Sequence, residues 1–180
     1  GLDYLNRGMY PEAASHFRKA IQRISKNYTR PRNCEPFYYL GLTLRHQTHY
    51  NAAYDTLHMA AWDYAFSAAA YYHLAEIATI SSEFPDALAH VNRSLNASRQ
   101  NLKAQCLKSA ILRKLGRSDE AEKVTESVLE FDPLNHLALN ELSIIKSKKD
   151  SSFQGNLRKI LRNNSESYLE LAADYLNWGL

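Results

Sequence analysis

The sequence predicts an all-α fold, a solenoid of tandem helical hairpins, and three observations lead to this prediction. The composition is poor in helix-breaking residues, with 6 Gly and 5 Pro among 180 residues, while 45% of the residues are hydrophobic. Apolar residues recur at intervals of three and four, as in Leu88, Val91 and Leu95, which is the spacing of an amphipathic helix. A chain of this length and composition is expected to bury a substantial core.

An internal repeat is the third observation. Ala53, Ala87 and Ala121 are equally spaced. Each ends a four-residue segment, at 50–53, 84–87 and 118–121, that follows the turn between two helical patterns. The same step leads from Leu40 and Gly41 to the corresponding pair in the next unit. A period of about 34 residues predicts one helical hairpin per unit, with small residues where helices approach closely.

The repeat divides a single solenoid domain, residues 1–180, into about five units and the start of a sixth. The spacing from Ala13 to Ala53 exceeds the period by six positions, which predicts an inserted loop at 28–33. We expect both ends of the chain to interrupt a longer array. The predicted units are 1–27 (partial), 34–67, 68–101, 102–135, 136–164 (degenerate) and 165–180 (the start of the sixth).

Glycine and proline mark the predicted ends and starts of helices. Gly8 and Gly116 lie where a first helix would stop, and glycine adopts the left-handed conformation of such turns without steric cost. Pro11, Pro36 and Pro85 lie near predicted helix starts, where the backbone amide that proline lacks has no partner in the helix.

These units resemble the tetratricopeptide repeat. The fourth unit does so most clearly, with Leu-Gly-Arg-Ser-Asp-Glu-Ala at 115–121 and Phe-Asp-Pro at 131–133, and the first has Gly-Met-Tyr-Pro-Glu-Ala at 8–13. The resemblance covers nearly the whole chain and implies a right-handed α-solenoid whose first helices line a concave groove. Segments 131–135 and 167–171 are also similar to the repeat-rich region of large bacterial multi-domain proteins that carry a carbohydrate-related module.

The resemblance also implies which side chains line the groove. Family members that capture a terminal carboxylate use Lys, Arg and Asn at positions where this chain has Tyr38 and Tyr72, so a peptide with apolar anchors fits better. Tyrosine suits recognition because it combines a rigid apolar face with one polar tip. The alternative is that these tyrosines fill interhelical space. The predicted groove residues are Tyr38, Leu42, Tyr72, Glu76, Cys106, Ala110, Arg113, Asn140 and Ile144.

No catalytic motif accompanies the repeat in the sequence. The acidic residues are scattered, and there is no glycine-rich phosphate loop, nucleophile elbow or zinc-protease helix. His46 and His49 have metal-ligand spacing but no matching carboxylate or cysteine cluster, so we expect turn and surface histidines. Cys34 and Cys106 lie far apart and are expected to be packing residues. The sequence therefore predicts no enzyme, no cofactor and no metal site.

Charge and hydropathy exclude two further classes of partner. The net charge of +3 is spread along the chain, unlike the basic stripe that binds nucleic acid, and no apolar run approaches the roughly 18 residues that span a bilayer. The sequence predicts a non-catalytic scaffold that binds a protein or peptide partner in its concave groove. The alternative is an assembly or substrate-presenting module of a carbohydrate-active multi-domain bacterial protein.

The last helix raises one further expectation. Its large side chains, among them Tyr175 and Trp178, would be exposed without a second helix to cover them. Because an uncapped solenoid end tends to pair, we expect two copies of the chain to form a weak homodimer through these ends. The side chains concerned are Tyr168, Leu169, Tyr175, Leu176 and Trp178.

Overall fold

In the computed structural model, which describes residues 1–26, 33–149, 161 and 164–180, every regular element of the described part is an α-helix. The helices pair as antiparallel hairpins along the chain, as the repeat predicts. They are α1 (Leu2–Asn6), α2 (Tyr10–Ile24), α3 (Glu35–His46), α4 (Tyr50–Ala60), α5 (Tyr64–Ile80), α6 (Phe84–Ala97), α7 (Leu102–Lys114), α8 (Ser118–Phe131), α9 (His136–Lys149) and α10 (Ser165–Trp178).

A left-handed residue ends the first helix of four successive hairpins. The predictions for Gly8 (φ 72°) and Gly116 (φ 78°) are confirmed, and Thr48 (φ 61°) and Ser82 (φ 62°) take the same conformation without being glycine. Thr48, Ser82 and Gly116 follow one another at intervals of one period, so the turn repeats with the unit. In each turn two amide groups donate to carbonyls of the last helical turn, which satisfies groups that the helix leaves unpaired.

Small residues allow the two helices of a hairpin to touch. Ala53, Ala87 and Ala121 are each 0% exposed. A Cβ atom added at Gly41 would lie 2.6 Å from Cγ of Leu57, a buried side chain of the facing helix. The positions that mark the repeat in the sequence are therefore the positions of closest helix packing.

Helix starts follow local capping chemistry. Pro11, Pro36 and Pro85 lie in the first turn of α2, α3 and α6, as predicted. Asp63 caps α5 by accepting a hydrogen bond from the Ala65 amide, so α5 begins ahead of the unit boundary predicted at 68. The predicted loop at 28–33, apart from its last residue, lies outside the described residues. The sequence also predicts a weak second helix at 153–162 in the degenerate unit, and apart from Leu161 this segment lies outside them too.

The first helices of successive hairpins form the inner layer of the stack. Each of α3, α5 and α7 contacts the next first helix in the series, α5, α7 and α9 respectively. The second helices α4, α6 and α8 contact one another less than the first helices do. Closer approach of the first helices curves the stack, so they line its concave side.

Helix α10 departs from the position that the sequence predicts for it. It packs against both α5 and α9, and α5 belongs to the hairpin three units before it. The expectation that Trp178 is exposed is therefore wrong, because its side chain is 0% exposed, and Tyr175 is half-buried. Leu169 and Leu176 are 70% and 77% exposed. The weak homodimer through the chain ends stays a prediction.

Candidate functional site

The concave groove is occupied by helix α10 of the same chain. Leu171, Tyr175 and Trp178 share one face of this helix and point towards the first helices, since they are spaced by four and three residues. The groove holds the helix at three places between the end of α10 and its middle.

The first place is the end of α10, where Trp178 is buried. Its indole Nε1 donates a hydrogen bond to the hydroxyl oxygen of Tyr72, at 3.2 Å. Tyr72 is 8% exposed, and burial together with the charge of Glu76 raises the pKa of its hydroxyl, so the group stays protonated. Gly179 follows in the left-handed conformation, and a Cβ there would lie 2.9 Å from Cα of Ile80.

The second place is an arginine that binds the carboxyl-terminal end of α10. Arg45 Nη2 donates to the carbonyl oxygen of Asn177, at 3.1 Å, and pairs with Glu76 Oε2, also at 3.1 Å. A positive charge at the end of a helix is favourable because the exposed carbonyls carry partial negative charge. His73 Nδ1 lies 2.7 Å from the same Glu76 oxygen, and its Nε2 lies 3.3 Å from the Tyr38 hydroxyl.

The third place is a buried ion pair in the middle of the groove. Arg113 donates from Nε and Nη2 to the two carboxylate oxygens of Glu141, at 2.8 and 2.9 Å, and Glu141 is 0% exposed. The Tyr175 hydroxyl donates to Glu141 Oε1 and accepts from Asn140 Nδ2 at 2.9 Å. Beside it, Lys103 Nζ lies 2.5 Å from Asp174 Oδ1.

Burial and charge keep these groups in the states that the hydrogen bonds need. Burial, followed by the charge of Glu141, raises the pKa of Tyr175, so its hydroxyl remains a donor. Burial alone would lower the pKa of Arg113, but the hydrogen bonds and charge of Glu141 raise it, so the guanidinium stays charged. Tyr175 and Arg113 therefore act as fixed hydrogen-bond donors in the groove.

The two arginine pairs are related by the repeat. Arg45 and Arg113 are separated by two periods of the repeat, and each pairs with a glutamate on the next first helix. Sequence reasoning missed Arg45 and Glu141, although the double period between the arginines was visible. It also missed that Tyr175 and Trp178 would face the groove.

The structure places the predicted groove residues in different relations to α10. Tyr72 and Asn140 bond to it directly, through Trp178 and Tyr175. Glu76 and Arg113 each pair with a residue that does so, and Tyr38 lies two hydrogen bonds beyond Glu76, through His73. Leu42, on α3, is half-buried.

Neither a metal-binding cluster nor a reactive Cys106 thiol is found among the described residues. Within these ranges no three or more His, Cys, Asp and Glu side chains come together as a metal site would require. Burial, followed by the charge of Glu141, raises the pKa of the Cys106 thiol to about 12, which makes a thiolate nucleophile unfavourable. No helix of the described chain combines the length and the apolar character needed to cross a membrane.

Comparisons with known proteins identify the fold. No protein-family profile and no curated protein sequence matches the chain. A tetratricopeptide repeat protein from Parabacteroides merdae superposes with a TM-score of 0.76 at 19% identity, over 99% of this chain and 70% of that one. MamA from Desulfovibrio magneticus gives 0.71 at 17%, over 96% and 90%. YrrB, described as a TPR protein with an unusual peptide-binding site, gives 0.67 at 15%, over 91% and 84%. The chain therefore has the right-handed α-solenoid fold of tetratricopeptide-repeat proteins.

Proposed function

We propose that this protein is a non-catalytic scaffold that binds a helical segment of another protein in its concave groove. The observation that supports this most strongly is that the groove holds a helix, α10, which accepts hydrogen bonds from Arg45 and Asn140 and donates one to Tyr72. The likeness of the fold to YrrB, a TPR protein with a peptide-binding site, favours the same class of function.

The groove chemistry favours an amphipathic helix over other ligands. Tyr38 and Tyr72 offer aromatic surface with polar tips, and the paired charges of Arg113 and Glu141 neutralise each other. A helix in a groove is recognised through anchors at spacings of three, four and seven residues, the spacings at which α10 presents its buried side chains. Nucleic acid and membrane are not part of this proposal, nor is a catalytic step.

A peptide selection with paired tyrosine variants tests the proposal. A displayed library of helical peptides is selected on the full chain and on its Trp178→Ala variant. We then introduce Tyr72→Ala into the chain on which the peptides were selected. We expect their affinity for it to fall about ten-fold or more, since central aromatic anchors carry most of the binding energy. The matched control is Tyr64→Ala, on the same helix but 85% exposed, which should leave affinity unchanged.

Two results would contradict the proposal, provided that circular dichroism shows unchanged helicity in both tyrosine variants. One is a selection that yields no binding peptide from either form of the chain. The other is a set of peptides whose affinity is equally insensitive to Tyr72→Ala and Tyr64→Ala, which would place their binding outside the groove.

A further inference from the structure

We propose that α10 is an intramolecular ligand that closes the groove, and that the partner binds by presenting a helix with the same anchors in its place. This inference rests on the proposed function, since it names both the chemistry of the partner and the regulation of the same surface.

Helix α10 has the form of a helical ligand rather than of a core helix. Its inner face buries Leu171 (7% exposed) and Trp178 (0%), with Tyr175 between them. Its outer face exposes Leu169 and Leu176 at 70% and 77%. One apolar face laid into a groove, with anchors at intervals of four and three residues, is the pattern of helix-in-groove recognition.

The groove keeps its own polar pairs without α10. The ion pairs of Arg45 with Glu76 and of Arg113 with Glu141 join first helices to each other. Removal of α10 takes away one polar partner from each of five groove residues, and water can replace these partners. The five residues are Glu141, Tyr72, Arg45, Asn140 and Lys103. The groove is thus built to remain when its occupant changes.

Helix α10 does not fill the groove completely, so a different helix can make additional contacts there. A cleft of about 260 Å³ separates the first half of α10 from the turn before α9, with Leu134, His136 and Glu170 among its lining residues. Arg45 Nε is buried and has no hydrogen-bond acceptor among the described residues. A partner helix that fills the cleft or supplies this acceptor competes with α10 on favourable terms.

The anchors define the pattern of the partner helix. An acidic residue pairs with Lys103, as Asp174 does, and an aromatic donor at the next position reaches Glu141, as Tyr175 does. A second aromatic donor three residues later reaches Tyr72, and a glycine follows it because any Cβ would meet Ile80. The expected partner carries Asp-Tyr-x-x-Trp-Gly at the end of a helix.

A peptide competition experiment tests this inference. The probe is a fluorescein-labelled peptide of residues 164–180, and its anisotropy is measured against the full chain, the Trp178→Ala variant and the Leu176→Ala variant. Only chains in which α10 has left the groove can bind the peptide, so the apparent affinity is reduced in proportion to the fraction of such chains. We therefore expect the peptide to bind Trp178→Ala about ten-fold or more tightly than it binds the wild type. Leu176→Ala, which removes an exposed side chain of the same helix, should bind as the wild type does.

The outcomes separate this inference from the proposed function. Equal affinity for the wild type and Trp178→Ala would overturn closure by α10, and the selected helical peptides described above would still support a binding groove. If the labelled peptide binds none of the three proteins, α10 does not act as a ligand of the groove, and the inference is overturned in the same way. A loss of helicity in Trp178→Ala beyond that of α10 itself, seen by circular dichroism, would make the helix a structural part of the stack and also overturn the inference.

Discussion

Replacement of Arg113 by alanine is expected to lower the free energy of unfolding by about 3 to 5 kcal/mol, because it leaves the buried carboxylate of Glu141 without its charge partner. Glu141 is 0% exposed when α10 lies in the groove, so water does not replace the missing guanidinium in this state. Urea denaturation followed by circular dichroism measures the change. The variant should also bind α10 less well, since Tyr175 and Arg113 share the same carboxylate.

The chain contains a matched control for this prediction. Arg117 makes a similar two-bond pair with Glu120, at 2.6 and 2.7 Å, but both side chains are about half-exposed. Solvent screening makes such pairs weak, so Arg117→Ala should leave the urea midpoint almost unchanged. Equal losses in the two variants would contradict the role given to burial.

A second large effect is expected from acidification, through His90. Its Nε2 lies 2.7 Å from the Tyr54 hydroxyl, and its Nδ1 is buried without a hydrogen-bond partner among the described residues. Burial, followed by the neighbouring charges of His58 and Arg93, lowers the pKa of His90 to about 4, against which the carboxylate of Asp86 has a smaller opposite effect. The folded protein therefore holds this imidazole neutral.

The sign of the pH dependence follows from that pKa. Between about pH 6.5 and about pH 4 the unfolded chain binds a proton at His90 that the folded chain does not, so stability falls as pH falls, by at most about 3 kcal/mol. The measurement is the free energy of unfolding across this range. In His90→Gln the loss of stability on acidification should be smaller than in the wild type. His49→Gln, at an exposed turn, should show the wild-type dependence of stability on pH. Identical profiles for all three proteins would contradict this account.

The hairpins could be predicted because their determinants are local and repeat. Ala53, Ala87 and Ala121 mark the helix contacts, and Gly8 and Gly116 mark the turns, since a small side chain or a left-handed residue serves the same purpose in every unit. Thr48 and Ser82 were missed as left-handed residues because neither is glycine. Steps of one and two periods back from Gly116 would have found both of them.

The position of α10 could not be read from the sequence. Its pattern, with a left-handed Gly179 at the end, is that of a first helix, and the same amphipathic pattern serves a helix stacked on the fifth unit or one turned into the groove. The contact that decides between them joins Tyr72 to Trp178, which are 106 positions apart. Local periodicity carries no information about such a pair.

The buried charges of the groove were missed for a related reason. Arg45 and Glu141 are charged, and charged residues usually lie on the solvent-exposed face of a helix. Their burial depends on the approach of neighbouring first helices and of α10, and it is stabilised by pairing across units. Tyr38 and Tyr72 were predicted to line the groove because aromatic residues are frequent anchors. The pairing of the arginines with groove glutamates was not predicted.

The accessibility of Trp178 in a Trp62→Phe background tests most directly whether α10 lies in the concave groove. Fluorescence quenching by acrylamide reports on this single tryptophan, and the Trp178→Phe variant, which keeps the 47% exposed Trp62, provides the comparison. If Trp178 is buried in the groove, its emission is blue-shifted and acrylamide quenches it much more weakly than Trp62. Emission and quenching of Trp178 equal to those of a solvent-exposed indole would contradict this position of α10.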